Sequence, residues 1–235
     1  MSEELQEFQV RWEGVLPGDP EQVWDAFTVH AAAWIWEIEY EPRLGGAERG
    51  LTSRGGTVTA WEPPLHFQTR AERPDGWRNE LDYKLEPRSD GTLLQYLHTG
   101  VTSDYETEYD ACVQHTHFYL HSMGEYVRRF AGRDAAYVAI DAPGSFAAVC
   151  RRLGLDEEAA VGDDVRLAPG VDGTIDYLTP AFLGAQTDDA LVRVYGREAW
   201  GGPVTVALHL FAEDVDPAQA ERTWSAWLEA TKAVA

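Results

Sequence analysis

The hydrophobic pattern changes period several times along the first 130 residues, and each change marks an element. Phe8, Val10 and Trp12 alternate with Gln9, Arg11 and Glu13, which predicts a half-buried strand over 8–16. Leu16-Pro17-Gly18 breaks it. Asp19 then stands as an N-cap, with Pro20 at the first helical position, Glu21 and Gln22 in the first turn, and Val23, Trp24 and Phe27 as an apolar stripe. Residues 30–36 predict a short helical or irregular piece carrying Trp34 and Trp36, and 37–42 open the next strand. Gly45-Gly46 and Gly55-Gly56 flank a strand expected over 49–52, with 57–61 as its hairpin partner. After Pro63-Pro64, strands are expected over 66–72, 78–86 and 93–101, separated by the turns Pro74-Asp75-Gly76 and Ser89-Asp90-Gly91. A long helix over 104–130 closes the series. Its broad apolar face carries Tyr105, Tyr109, Cys112, Val113, Thr116, Tyr119, Leu120, Met123, Tyr126, Val127 and Phe130. So many inward hydroxyls suit an apolar but partly wet cavity; the alternative is a packed helix whose tyrosine hydroxyls reach the rim.

The same grammar then repeats in about 100 residues. Residues 136–141 predict a strand, Ser145 an N-cap for a helix over 146–153, and Gly154 its C-cap. Strands follow over 164–167, 174–178, 183–187, 191–197 and 204–211. A last helix, from about 216 to about 232, bears Ala220, Trp224, Trp227, Leu228 and Thr231 on one face. The expectation is a complete α+β domain over 1–133 and a shortened, degenerate copy over 134–235 in which Trp224 and Trp227 fill the core. A C-terminal extension of unrelated origin is the alternative.

Five motifs in the first half occur in a recognisable order. They are Asp19-Pro20-Glu21-Gln22-Val23-Trp24-Asp25-Ala26-Phe27, Glu41-Pro42-Arg43-Leu44-Gly45-Gly46, Gly56-Thr57-Val58-Thr59-Ala60-Trp61-Glu62-Pro63-Pro64, Gly91-Thr92-Leu93-Leu94 and His98-Thr99-Gly100. Together they resemble the START-like (SRPBCC, Bet v 1-like) superfamily, and within it the branch named after the activator of the Hsp90 ATPase. The resemblance implies a helix-grip fold, a curved antiparallel sheet around a long C-terminal helix, with a pocket for a hydrophobic or aromatic small molecule. It also implies two rivals: a co-chaperone of the Hsp90-activator type, and a cyclase-like or hydrolase-like enzyme using the same cavity. No cofactor is expected.

Charge narrows the partners. With 40 acidic against 19 basic residues the formal net charge is -21, which repels nucleic-acid backbones and anionic membrane surfaces. Two cysteines, Cys112 and Cys150, argue for a reducing compartment and against a disulfide scaffold. Met1-Ser2-Glu3-Glu4 resembles no signal peptide, and no run approaches about 18 apolar residues, so a soluble cytoplasmic protein is expected. A protein partner, and monomer or homodimer, stay open.

No nucleophile elbow, phosphate-binding glycine loop or dinucleotide fingerprint is present. His117 and His121 are four apart, but His115 lies on nearly the opposite side of the helix, so no metal site is expected. The better polar candidates are Tyr96 and His98, which share a strand face, with Tyr83 on the preceding strand. His98 has three readings: a structural bond to a neighbouring strand, a group that orients a ligand, and an acid/base. Trp34, Trp36, Tyr109, Thr116, Tyr119 and Met123 complete the expected pocket. Lacking a catalytic constellation, the sequence favours binding over catalysis.

Overall fold

The computed structural model describes residues 5–167 and 170–229, and the chain divides into two compact units, 1–133 and 134–235. In the first, β1 (Gln6–Leu16) leads into α1 (Pro20–Thr28) and a 3-10 turn (Ala31–Ala33). Six strands follow: β2 (Glu39–Tyr40), β3 (Ala47–Arg49), β4 (Gly56–Glu62), β5 (His66–Glu72), β6 (Arg78–Arg88) and β7 (Gly91–Thr102). The helix α2 (Tyr105–Phe130) ends the unit. α1 starts where its residues dictate. Asp19 Oδ1 accepts from the Gln22 amide at 2.9 Å and Gln22 Oε1 accepts from the Asp19 amide at 3.0 Å, a reciprocal capping box.

All neighbouring strands of the seven-stranded sheet are antiparallel, in the order β1-β7-β6-β5-β4-β3-β2. The last strand returns to pair with the first, and α2 packs along β1 and β7. This is the helix-grip arrangement. The strand expected over 49–52 is instead the short β3, Ala47–Arg49, followed by a turn. The cause is Glu48, only 2% exposed. Its carboxylate accepts from the amides of Leu51 (2.8 Å) and Thr52 (3.3 Å) and from the Thr52 hydroxyl (3.3 Å), curling the chain back on itself. Gly50 and Gly55, at φ +93° and +75°, supply the left-handed corners.

The second unit runs β8 (Ala136–Ala142), α3 (Phe146–Arg152), β9 (Asp164–Leu167), β10 (Val171–Leu178), β11 (Phe182–Gln186), β12 (Ala190–Gly196), β13 (Val204–Leu210) and α4 (Pro217–Glu229). Ser145 caps α3 by accepting from the Ala148 amide at 3.2 Å. The sheet order is β8-β13-β12-β11-β10-β9. First strand against last, then a meander in descending order, is the winding of the first unit with one strand fewer, and α4 packs along β8 as α2 packs along β1. The expected C-terminal end of that helix, with Thr231, lies outside the described residues. Trp224 and Leu228 are buried in a core built from Val138, Ile140, Val149, Ile175, Val192, Val194 and Val206. No helix among the described residues is long and apolar enough to cross a membrane.

Candidate functional site

A cavity of about 260 Å³ opens between the sheet and α2 of the first unit. The hairpin joining β6 and β7 supplies its floor. Their register places Tyr83 directly opposite Tyr96 and Leu81 opposite His98, so alternation brings all four side chains to one face. Across from them, α2 contributes Cys112, His115, Thr116, Tyr119 and Leu120, a run at helical spacing. The segment after α1 adds Trp34, Ile35, Trp36, Ile38 and Tyr40, and Phe27 comes from α1 itself. The mouth is edged by Leu51, Thr52 and Ser53 of the β3–β4 turn and by Arg73, Trp77 and Asn79 around the β5–β6 turn.

The rings are fixed by one another. Phe27 stacks on Tyr83 at 4.7 Å, Tyr83 meets Tyr96 edge-on at 5.0 Å, and Trp36 meets Tyr119 edge-on at 5.4 Å. Both indole N–H groups of the expected pair are already engaged, Trp34 donating to the Ala26 carbonyl at 2.7 Å and Trp36 to the Gly50 carbonyl at 2.9 Å. These two tryptophans therefore present apolar surface to the cavity.

His98 is 8% exposed, and its Nε2 lies 2.6 Å from Asn79 Oδ1. An amide oxygen only accepts, so with this assignment Nε2 carries the proton and Nδ1 is an acceptor. Burial pushes the imidazole down to about 4, so it is neutral at physiological pH. Burial also holds the hydroxyls of Tyr83, Tyr96 and Tyr40 above the usual phenol range; at Tyr96 a hydrogen bond with Thr116 works the other way. The Cys112 thiol is pushed up to about 12 by burial, then by Glu108. The lining holds no carboxylate and one guanidinium, that of Arg73, and its buried His98 is neutral at physiological pH.

Of the nine residues expected to line a pocket, Trp34, Trp36, Tyr83, Tyr96, His98, Thr116 and Tyr119 do so; Tyr109 and Met123 do not. Tyr109, 37% exposed, stacks on Tyr105 at 5.5 Å, with Phe8 edge-on at 6.3 Å. Met123 is wholly buried, a turn beyond the cavity. Tyr126, also on the expected inner face, bonds backbone instead: its hydroxyl donates to the Arg133 carbonyl and accepts from the Gly132 amide, both at 3.1 Å. Sequence reasoning missed Asn79, Arg73 and Trp77, and put Cys112 on the inner helix face without naming it for the pocket. Arg73 and Trp77 bracket the Pro74-Asp75-Gly76 turn, and that position was the available signal for a mouth. Among the described residues no group of histidine, cysteine and carboxylate side chains is arranged to hold a metal; His117 points to solvent.

No curated protein matches the chain. Among solved structures, it is similar to protein MLL2253 from Mesorhizobium loti at 19% identity and a TM-score of 0.46, over 52% of this chain and 98% of that one. A protein of unknown function from Staphylococcus aureus, SA2116, is similar at 17% identity and a TM-score of 0.45, over 53% and 96%. CalU16 from Micromonospora echinospora is similar at 21% identity and a TM-score of 0.42, over 52% and 76%. Residues 18–128, most of the first unit, match the family model described as Activator of Hsp90 ATPase homolog 1-like protein, which supports assigning that unit to this family within the START-like superfamily.

Proposed function

We propose that the first unit binds a planar, largely apolar small molecule between its sheet and α2. One observation carries the reading: an aromatic-walled space of about 260 Å³ whose few polar groups, among them His98, Asn79, Tyr83 and Thr116, are uncharged and converge from different elements. The volume falls just below the ligand-pocket range of about 300–1,000 Å³, which suits one ring or two fused rings. Burying roughly 200 Å² of such a molecule at about 25 cal/mol per Å² gives about 5 kcal/mol before further dispersion and hydrogen bonds, and association costs act against it. About 5 kcal/mol alone corresponds to a dissociation constant of a few tenths of a millimolar, so micromolar binding requires the dispersion and hydrogen-bond contributions to exceed the association costs by about 3 kcal/mol. His98 serves here as an orienting group, because an imidazole held down to about 4 has little appetite for a proton near neutrality.

Titrating tryptophan fluorescence with a panel of one- and two-ring aromatics tests this directly, since Trp34, Trp36 and Trp77 line the space. Binding that saturates at micromolar concentration, with Tyr119→Ala shifting preference toward larger rings, supports the reading. A panel with no binder, together with an unchanged profile for Tyr119→Ala, overturns it.

A further inference from the structure

We infer that the molecule held in this cavity is an aromatic carboxylic acid, its rings between sheet and helix and its carboxylate at the mouth on the Arg73 guanidinium. The inference rests on the binding reading above and narrows it to a ligand class.

It begins from a contrast of charge. The chain carries 40 acidic and 19 basic residues, yet its cavity lining has no acidic residue and one basic residue. That residue is held in place. The Arg73 guanidinium carbon lies 4.0 Å from the centroid of the Trp77 ring, and the Arg73 amide donates to the Trp77 carbonyl at 2.9 Å across the turn. Among the described residues no carboxylate forms an ion pair with Arg73, and the nearby acids are committed elsewhere. Glu72 projects to the other side of β5, where it meets Arg70 at 3.6 Å, and Asp75 Oδ1 accepts from the Trp77 amide at 3.0 Å. A guanidinium stacked on an indole is partly desolvated on that face, while its in-plane N–H edge remains available. That edge matches a carboxylate, which can take two parallel hydrogen bonds.

The interior argues for the same orientation. A carboxylate driven to the floor would exchange its hydration for neutral hydroxyl, amide and imidazole groups, which is costly. Rings inward with the charge at the mouth satisfies both halves of the molecule. The net charge of the whole chain opposes an anion at long range, but at physiological ionic strength screening acts over about 8 Å and leaves the local guanidinium dominant.

The experiment pairs benzoate, naphthoate and biphenylcarboxylate with their uncharged amides. Each is titrated into the full-length wild type and into Arg73→Gln, near neutral pH, at low and high salt, with both proteins checked for equal thermal stability. For at least one ring system the acid is expected to bind wild type about tenfold more tightly than its amide, a ratio that shrinks with salt and vanishes in Arg73→Gln while the amide affinity holds. Equal affinity of acid and amide for wild type overturns this inference and leaves the binding reading standing. So does an acid preference that survives Arg73→Gln, or a variant that weakens acid and amide alike, which would make Arg73 a packing residue. If none of the six compounds binds wild type, the cavity reading itself falls and takes the inference with it.

Discussion

Lowering the pH from about 7.5 to 5 should destabilise the first unit by about 2 kcal/mol through His98 alone. The imidazole titrates near 6.5 in an unfolded chain and near 4 when folded, because burial beside Phe8 and between strand and helix disfavours its charged form. A depressed value means that the unfolded chain takes up a proton the folded unit refuses. Stability from this group is therefore complete above about 6.5 and is lost as the pH falls from there toward 4. At pH 5 the unfolded imidazole has been protonated over one and a half pH units, worth about 2 kcal/mol at 1.36 kcal/mol per unit; below 4 the loss levels off at about 3.4 kcal/mol. The assay is urea denaturation at both pH values for wild type and His98→Gln, whose side-chain amide can still donate to Asn79 but does not titrate. Carboxylate contributions are common to both proteins, so wild type should lose about 2 kcal/mol more than the variant. An NMR titration assigned to His98 gives the same answer without denaturation. A ring that titrates near 6.5, or equal losses in the two proteins, would refute the argument.

Three other outcomes are expected. Gly100→Ala should cost about 1–3 kcal/mol in thermal or chemical denaturation, because its Cβ would lie 2.2 Å from Phe8 Cζ, a ring buried edge-on to His98; an unchanged melting temperature counts against it. Burial pushes the thiols up to about 12 at Cys112 and about 11 at Cys150, so both should react with disulfide reagents far more slowly than free cysteine at pH 8, and an aromatic amide in the cavity should slow Cys112 but not Cys150. Mass spectrometry of the labelled protein reads the two sites separately, and equal protection of both would mean that the amide binds elsewhere. Trp224→Ala should cost about 3–5 kcal/mol by opening a void in the core of the second unit, and a loss under about 1 kcal/mol in its unfolding transition would show that the ring is not packed there.

Much of the first unit was legible because its signals are local. The Asp19 cap, the alternation of β1 and the turn dipeptides each specify structure within a few residues. The Ser89-Asp90 turn carries more than its own shape: it sets Arg88 opposite Gly91, and every later pair follows, Tyr83 with Tyr96 included. Tyr83 could thus have been placed beside Tyr96 from sequence. Tyr109 and Met123 could not have been set aside so easily. A helical wheel gives angle and no height, and these residues share Tyr119's side of α2 while lying beyond opposite ends of the cavity. β3 was misplaced because Glu48, polar by composition, is buried and bonds the turn that ends the strand. The buried pair in the second unit, Arg193 Nη1 at 2.9 Å from Asp176 Oδ2, was equally invisible. Nothing in a hydrophobic pattern announces a charge matched by a partner 17 residues away.

The two units share a winding and differ in what lies between helix and sheet. In the first, hydrogen-bonding side chains reach that layer from both sides: His98, Tyr83 and Tyr96 from the strands and Thr116 from α2. In the second, Val192 and Val194 of β12 and Val204, Val206 and Leu208 of β13 join Trp224 and Leu228 in one apolar cluster. Its buried polar residues Arg193, Thr205 and His209 alternate onto the opposite face of the same strands. A layer with no polar side chains needs no hydrogen-bond partners there, which is the arrangement of the second unit. The first unit keeps them in, around a space of about 260 Å³. An open space forfeits packing contacts, so its presence beside those groups supports the proposed binding role.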